Sequence, residues 1–362
     1  MKRLRVLVSR PDRVGDVVLS TPVFEVLKNH FQGAELTVLV QAGVAPIIRG
    51  LPHVDEVLIY DPKGVHSGLR GFIRLVREFR ARDFRIAVAL QSNFKIAAAM
   101  FFAAVRYRVG PYSKLHSYLF YNRGVRQRRS QVEMHETDYN LQLLRRLGAR
   151  AATRSVPTRV NVSDSALGWA RKWLTDQGWS GSRLVAVHPG MGGSALNWPE
   201  AHYVELIRAL VRDGVSVVVT AGPTEGTLLK SVRDQLGTDS TRVYFYGGPG
   251  IGAIDQLGGV MSCADVVVAP STGPLHLAVA LKRRVVTFYP PIRVQSAIRW
   301  GPYLKDDSRS SVFVPENYCG EDFKCRGNVC HFYPCMKGIT VLQALEQVKK
   351  HLAETATTSK AT

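Results

Sequence analysis

The sequence predicts an α/β protein of two Rossmann-like domains, and three observations predict it. Short apolar runs recur along the chain with enough residues between them for a crossover helix. Glycine-bearing loops follow directly on several of those runs, where open parallel sheets gather their ligands. Around Ser155-Val156-Pro157 the periodicity lapses, and beyond it the pattern starts again. At 362 residues the chain is long for one domain, so two cores are expected. The spacing places a first domain over 1–155, a second over 156–340, and a terminal helix with a disordered tail over 341–362.

Arg5 to Ser9 reads as a strand, Thr21 to His30 as a helix and Leu36 to Gln41 as the next strand, which makes a βαβ unit with Asp12 to Ser20 as its loop. Further strands are expected at Glu56–Tyr60 and Ile86–Leu90. Between them, Leu69 to Arg82 puts Phe72, Leu75, Val76 and Phe79 on one stripe and turns Arg70, Arg74, Arg77 and Arg80 outward. That helix has two readings: a solvated basic face over an ordinary core stripe, or a surface lying on anionic membrane. Ser163 has the chemistry of an N-cap for a helix that ends at Gly178. A second set of strands follows at Leu184–His188, Val215–Thr220, Val243–Tyr246, Val266–Ala269 and Val285–Phe288, with a helix over Ala201–Val211 after the first. Val341 to Leu352 has helical spacing, and the Thr- and Ala-rich residues after it read as disordered.

Lys and Arg number 48 against 29 Asp and Glu, a net charge of +19. Residues 1–155 hold 26 of those cations against 12 acids, so the first half faces something anionic: nucleic acid, an acidic membrane surface or an anionic glycolipid. No zinc-finger, helix-turn-helix or RRM pattern occurs, and the basic residues are not interleaved with aromatics, which argues against nucleic acid. The apolar part of Lys2 to Arg10 is too short for a secretory leader and reads as a buried strand. The longest apolar run, Ile96 to Val105, is about half a bilayer span, so membrane contact is expected to be peripheral.

Four segments carry candidate chemistry. In Arg10-Pro11-Asp12-Arg13-Val14-Gly15-Asp16, Gly15 allows close backbone approach, and Asp16 is either a base for a sugar hydroxyl or a helix-start residue meeting free N–H groups. No GxGxxG occurs there, which removes the main support for a dehydrogenase. His188-Pro189-Gly190-Met191-Gly192-Gly193-Ser194 exposes amides before a helix and reads as a diphosphate cradle or as an ordinary flexible connection. Gly222-Pro223-Thr224-Glu225 offers a carboxylate to a ribose hydroxyl. Ser271-Thr272-Gly273-Pro274-Leu275-His276 offers hydroxyls and an amide to phosphate at a helix start. His276 is read as a donor contact or as a packed, hydrogen-bonded residue.

Taken together, these segments resemble glycosyltransferase family 9, the ADP-heptose:lipopolysaccharide heptosyltransferases, over nearly the whole chain. The match is carried by Arg13 to Pro22, His188-Pro189-Gly190 with Trp198-Pro199-Glu200, Gly222 to Glu225, and Ser271 to Leu277. The resemblance implies a GT-B fold whose two parallel sheets face a central cleft, with an anionic lipopolysaccharide inner-core acceptor on the first domain and ADP-heptose on the second. It further implies inverting transfer with Asp16 as base and no metal or other cofactor for the transfer. Gly190, Gly192, Gly193, Ser194, Glu225, Ser271, Thr272, Gly273 and His276 then hold the donor. Arg10, Arg13 and Lys95 are expected at the acceptor, whose carboxylates and phosphates suit such cations. The chain departs from the family pattern at Ser271, where an aspartate is usual, and at Leu196, where a cation contacts the diphosphate; Arg13, Arg10 or Arg293 is left to replace it. The location implied is cytoplasmic, peripheral to the inner membrane face.

Cys319, Cys325, Cys330 and Cys335 fall within 17 residues and lack a CxxC pair. Four thiolates this close could hold structural zinc or iron, or stand as unligated thiols in a loop.

Overall fold

The computed structural model describes residues 3–193, 195–237, 241–247, 254–317 and 319–359. The chain forms two compact units, one running to Arg129 and from Glu133 to Asn161, the other from Val162 onward together with Ser130–Val132. Among the described residues the first holds six strands: β1 Arg5–Ser9, β2 Glu35–Val40, β3 Glu56–Ile59, β4 Ile86–Ala89, β5 Tyr107–Pro111 and β6 Arg123–Val125. The second holds β7 Leu184–Val187, β8 Ser216–Thr220, β9 Val243–Tyr246, β10 Val266–Val268, β11 Arg284–Phe288 and β12 Ser310–Phe313.

Every strand pair is parallel, in the orders β3-β2-β1-β4-β5-β6 and β12-β11-β10-β7-β8-β9. Counted within its own unit, each sheet runs 3-2-1-4-5-6, the doubly wound Rossmann order. Strand order therefore reverses between β1 and β4 in one unit and between β7 and β10 in the other. Central strands such as β1 and β7 are buried on both faces, which is why they read as continuous apolar runs and not as alternation. The helix Gly68–Ala81 buries Leu75 and Phe79 and exposes Arg70, Arg74, Arg77 and Arg80, as its stripe predicts. Ser163 caps the helix Asp164–Asp176, its hydroxyl accepting from the Ala166 amide at 3.2 Å.

Three expectations are corrected. The stretch between β1 and the helix Thr21–His30 is not all loop, because Val14–Val18 forms a short helix. The residues after Leu352 continue the terminal helix, Val341–Ser359; alanine supports it, and Ala344, Val348 and Leu352 anchor it in the core of the second unit. It is thus part of that unit. Strand β5 and the edge strands β6 and β12 have no counterpart in the sequence reading, since glycine, proline, arginine and serine give them no strand pattern. Gly110 is required in β5, where a Cβ would come within 2.4 Å of the Tyr121 ring. No helix among the described residues is long and apolar enough to cross a membrane.

Candidate active site

In the first unit the site grows from the end of β1, at the strand reversal. Arg10 is only 3% exposed, and burying a guanidinium requires counter-charge. It has three carboxylates. Nη2 donates to Asp16 Oδ1 at 2.6 Å and to Glu136 Oε1 at 3.3 Å, and Nε faces Asp12 Oδ2 at 2.8 Å outside hydrogen-bond direction. Nη1 donates to the Leu90 carbonyl at 3.2 Å, just past β4, and to Asn140 Oδ1 at 3.4 Å. Arg129 adds a second cation on Glu136 and also reaches Leu90 O and Asn140. Ser20 closes the ring, donating to the Asp16 carbonyl and accepting from Asn140.

Burial pulls the Arg10 pKa down, but Asp16, Glu136 and Asp12 outweigh it and leave it raised. Burial pushes the Asp12 carboxyl up to about 6 against the pull of Arg10, with the charges of Asp16 and Glu136 adding to the rise. Asp16 itself lies in the first turn of the helix Val14–Val18, its side chain 22% exposed and its carboxylate held by Arg10.

The expected acceptor cations are placed differently from one another. Arg10 is a buried anchor whose Nη1 and Nη2 donate to protein carboxylates and carbonyls. Lys95 bonds the carbonyls of His66 and Gly68, which ties down the start of the helix Gly68–Ala81. Arg13 is exposed at the N-cap position before Asp16. Sequence reasoning missed Glu136, Asn140 and Arg129, because nothing near them in the chain marks them as partners of Arg10.

In the second unit a cavity of about 510 Å³ opens between the loops after β7 and β8, lined among others by Gly192, Gly193, Trp198, Thr224 and Glu225. That volume suits a small ligand. Glu225 accepts from the Gly222 amide at 2.8 Å and the Gly192 amide at 3.2 Å. Its carboxylate lies over Gly190, where a Cβ would come within 2.2 Å of it, so any larger residue would push Glu225 aside. Gly192 and Gly193 have φ of +55° and +70°, the left-handed region that glycine tolerates. Asn197 holds the loop's far end, donating to the Pro189 carbonyl at 2.7 Å and accepting from the Tyr203 hydroxyl. Trp198 is buried on Phe288, with ring centroids 4.2 Å apart. Leu196 packs against the core of the unit, and its amide donates to Gln295 Oε1 at 3.4 Å.

After β10, Ser271 and Thr272 lead into the helix Gly273–Ala280, whose N-cap Thr272 makes no side-chain cap. Ser271 hydrogen-bonds Tyr289. His276 is buried within that helix and does not line the cavity. Ser194 lies outside the described residues. The four thiols of Cys319, Cys325, Cys330 and Cys335 are unbridged, and among the described residues no three His, Cys, Asp or Glu side chains are arranged to hold a metal ion.

His188 connects these loops, its ring 3.0 Å from Thr220 Oγ1 and 3.6 Å from Glu225 Oε2. Burial lowers its pKa to about 4, against the raising effects of Glu225 and Thr220, so it is neutral at pH 7. A histidine depressed on folding stabilises in full above its ordinary 6.5 and loses that contribution as pH falls through about 4. Melting curves between pH 7 and 4 should therefore fall less steeply for His188→Gln than for wild type; equal slopes would remove His188 as the cause.

Comparison with known proteins agrees with this architecture. The family model described as glycosyltransferase family 9 (heptosyltransferase) matches residues 72–329. A Haemophilus influenzae protein described as a candidate glycosyltransferase is 32% identical over 317 residues, covering 86% of this chain and 89% of that one. The fold is shared with a family 9 glycosyl transferase of Veillonella parvula, TM-score 0.83 at 19% identity over 98% of this chain and 99% of the other. It is also shared with the E. coli ADP-heptose lps heptosyltransferase II, TM-score 0.78 at 20% identity over 97% and 99%. On the family match and the 32% identity, the chain belongs to glycosyltransferase family 9, the heptosyltransferases.

Proposed function

We propose that this glycosyltransferase moves heptose from ADP-heptose onto an anionic lipopolysaccharide inner-core acceptor, with inversion at the anomeric carbon and Asp16 as the general base. The observation that carries the reading is Asp16 itself, a partly exposed carboxylate whose Oδ1 is held at 2.6 Å by a buried guanidinium. Its other oxygen can take the proton of an acceptor hydroxyl as that oxygen attacks C1. The C1–O bond to the diphosphate breaks, ADP leaves with the electron pair, and the proton passes from Asp16 to solvent.

The donor belongs in the cavity of the second unit. There Glu225 keeps lone pairs for a ribose hydroxyl beyond those used by the two amides, and the loop after β7 supplies amides to a diphosphate. The cation missing at Leu196 is supplied by Arg293. It stands in the turn Arg293–Gln295, the same turn whose Gln295 accepts from the Leu196 amide. Its pair with Asp322 is an exposed one, easily exchanged for a diphosphate. The E. coli relative's name, with its ADP-heptose and lps, supports the donor and acceptor classes. Such an acceptor places the reaction at the cytoplasmic face of the inner membrane.

The test is ADP release from ADP-heptose with inner-core acceptors of stepwise length, alongside thermal shift with ADP, UDP and GDP. ADP should stabilise most, and Arg293→Ala should lower kcat about tenfold or more. Preferential stabilisation by UDP or GDP would point to another nucleotide sugar. ADP binding without release on any acceptor would point to a relative that kept the site and lost the transfer.

A further inference from the structure

We propose that the first unit carries a docking surface for an anionic lipid bilayer, made by the outer faces of the helices Gly68–Ala81, Phe94–Phe102 and Leu115–Phe120. These helices follow β3, β4 and β5 and are stitched together by aromatic contacts: Phe72 on Phe102 at 5.9 Å, Phe94 on Phe120 at 5.6 Å, and Phe101 on Phe120 at 5.7 Å. Leu75, Phe79, Ile96 and Met100 point inward and complete the core under the sheet. Among the outward side chains are large apolar ones that a solvated layer would not carry. Leu115 is 84% exposed, Leu69 74%, Leu119 70%, Phe94 62% and Phe102 53%. Single exposed apolar residues are ordinary, but five large ones on three adjoining helices mark an interaction surface.

Charge identifies the occupant. Residues 68–128 hold 13 Lys and Arg against 2 Asp and Glu, and Arg70, Arg74, Arg77, Arg80, Arg106 and Lys114 are all exposed. A second copy of the chain would press two strongly cationic faces together. Nucleic acid would match the arginines and leave Leu69, Leu115 and Leu119 without a partner. A bilayer interface satisfies both, its anionic headgroups meeting the cations while the leucines and phenylalanines enter the acyl boundary. This surface goes beyond the proposed reaction and holds whichever nucleotide sugar is the donor.

The experiment is flotation of the full chain with vesicles of phosphatidylcholine alone or with added phosphatidylglycerol, at low and high salt. Two variants accompany it, Leu115→Ser/Leu119→Ser and Arg70→Gln/Arg74→Gln/Arg77→Gln. The wild type should float with the phosphatidylglycerol vesicles only, and less so at high salt. The leucine pair should weaken binding roughly tenfold or more, and each arginine removed should weaken it roughly fivefold. Both variants should keep wild-type melting and wild-type turnover on a soluble acceptor fragment, which separates loss of docking from loss of fold or of chemistry. The proposal is overturned if phosphatidylglycerol does not promote flotation, or if the leucine pair floats like wild type. It is equally overturned if light scattering shows that this pair dissociates an oligomer, since the face would then belong to a second copy.

Discussion

Asp16→Asn should lower kcat by about 10²- to 10⁴-fold, the range a positioned general base contributes. Asparagine keeps an oxygen where Asp16 Oδ1 accepts from Arg10 at 2.6 Å, so the ring around Arg10 should survive and melting should stay close to wild type. KM for the nucleotide sugar should hold as well, because the donor residues lie in the other unit. A fall in kcat with donor KM and melting unchanged is the signature of a lost proton acceptor. The variant should also move a second group. Asp12 is held near 6 partly by the charge of Asp16, so removing that charge lowers the Asp12 pKa. Any pH dependence near 6 in the wild type would then shift to lower pH. Full turnover in the variant would take the proton-accepting role away from Asp16.

Arg10→Met should cost stability on the order of 3–5 kcal/mol, the range found when one partner of a buried ion pair is deleted. The reason is not the loss of one contact but the carboxylates left behind: Glu136 is 1% exposed, and Asp12 is already pushed up to about 6 by burial while Arg10 is present. Arg129 remains on Glu136. Calorimetry at pH 7 should show the first unit melting roughly 10 °C lower. At pH 5 the deficit should shrink, because the orphaned carboxylates, Asp12 first, take up protons and no longer need a counter-charge. Arg10→Lys keeps the charge but not the forked donors, so it should fold and still lose turnover through a misplaced Asp16. Melting of Arg10→Met at the wild-type temperature would show that the guanidinium is not what holds the carboxylates.

Much of the molecule can be read along the chain because its causes are local. The central strands announce themselves as apolar runs because both of their faces are buried, and the Ser163 cap because a hydroxyl meets an amide three residues on. The glycine loops after β7 and β8 are legible for the same reason: the Glu225 carboxylate presses on Gly190, and Gly192 takes the left-handed backbone that glycine adopts most readily. Parallel sheets then bring loops at successive strand ends to one edge, so a list of loops already approximates a list of site segments. What local pattern could not supply is partnership across the chain. Arg10 looks like a free cation for an anionic acceptor until the fold brings up Asn140 and Glu136, 130 and 126 residues away, and encloses it. Lys95 likewise finds its carbonyls 27 and 29 residues back. Strands β5, β6 and β12 form because a neighbouring strand offers them a ladder, not because their residues prefer one. The apolar run beginning at Ile96 could be measured against a membrane in the sequence, yet only the packing of three helices decides that Ile96 and Met100 face the core while Phe101 and Phe102 face out. Sequence specifies what the neighbours of a residue in the chain can enforce; burial and ion pairing depend on neighbours in space, and those exist only once the sheets have closed.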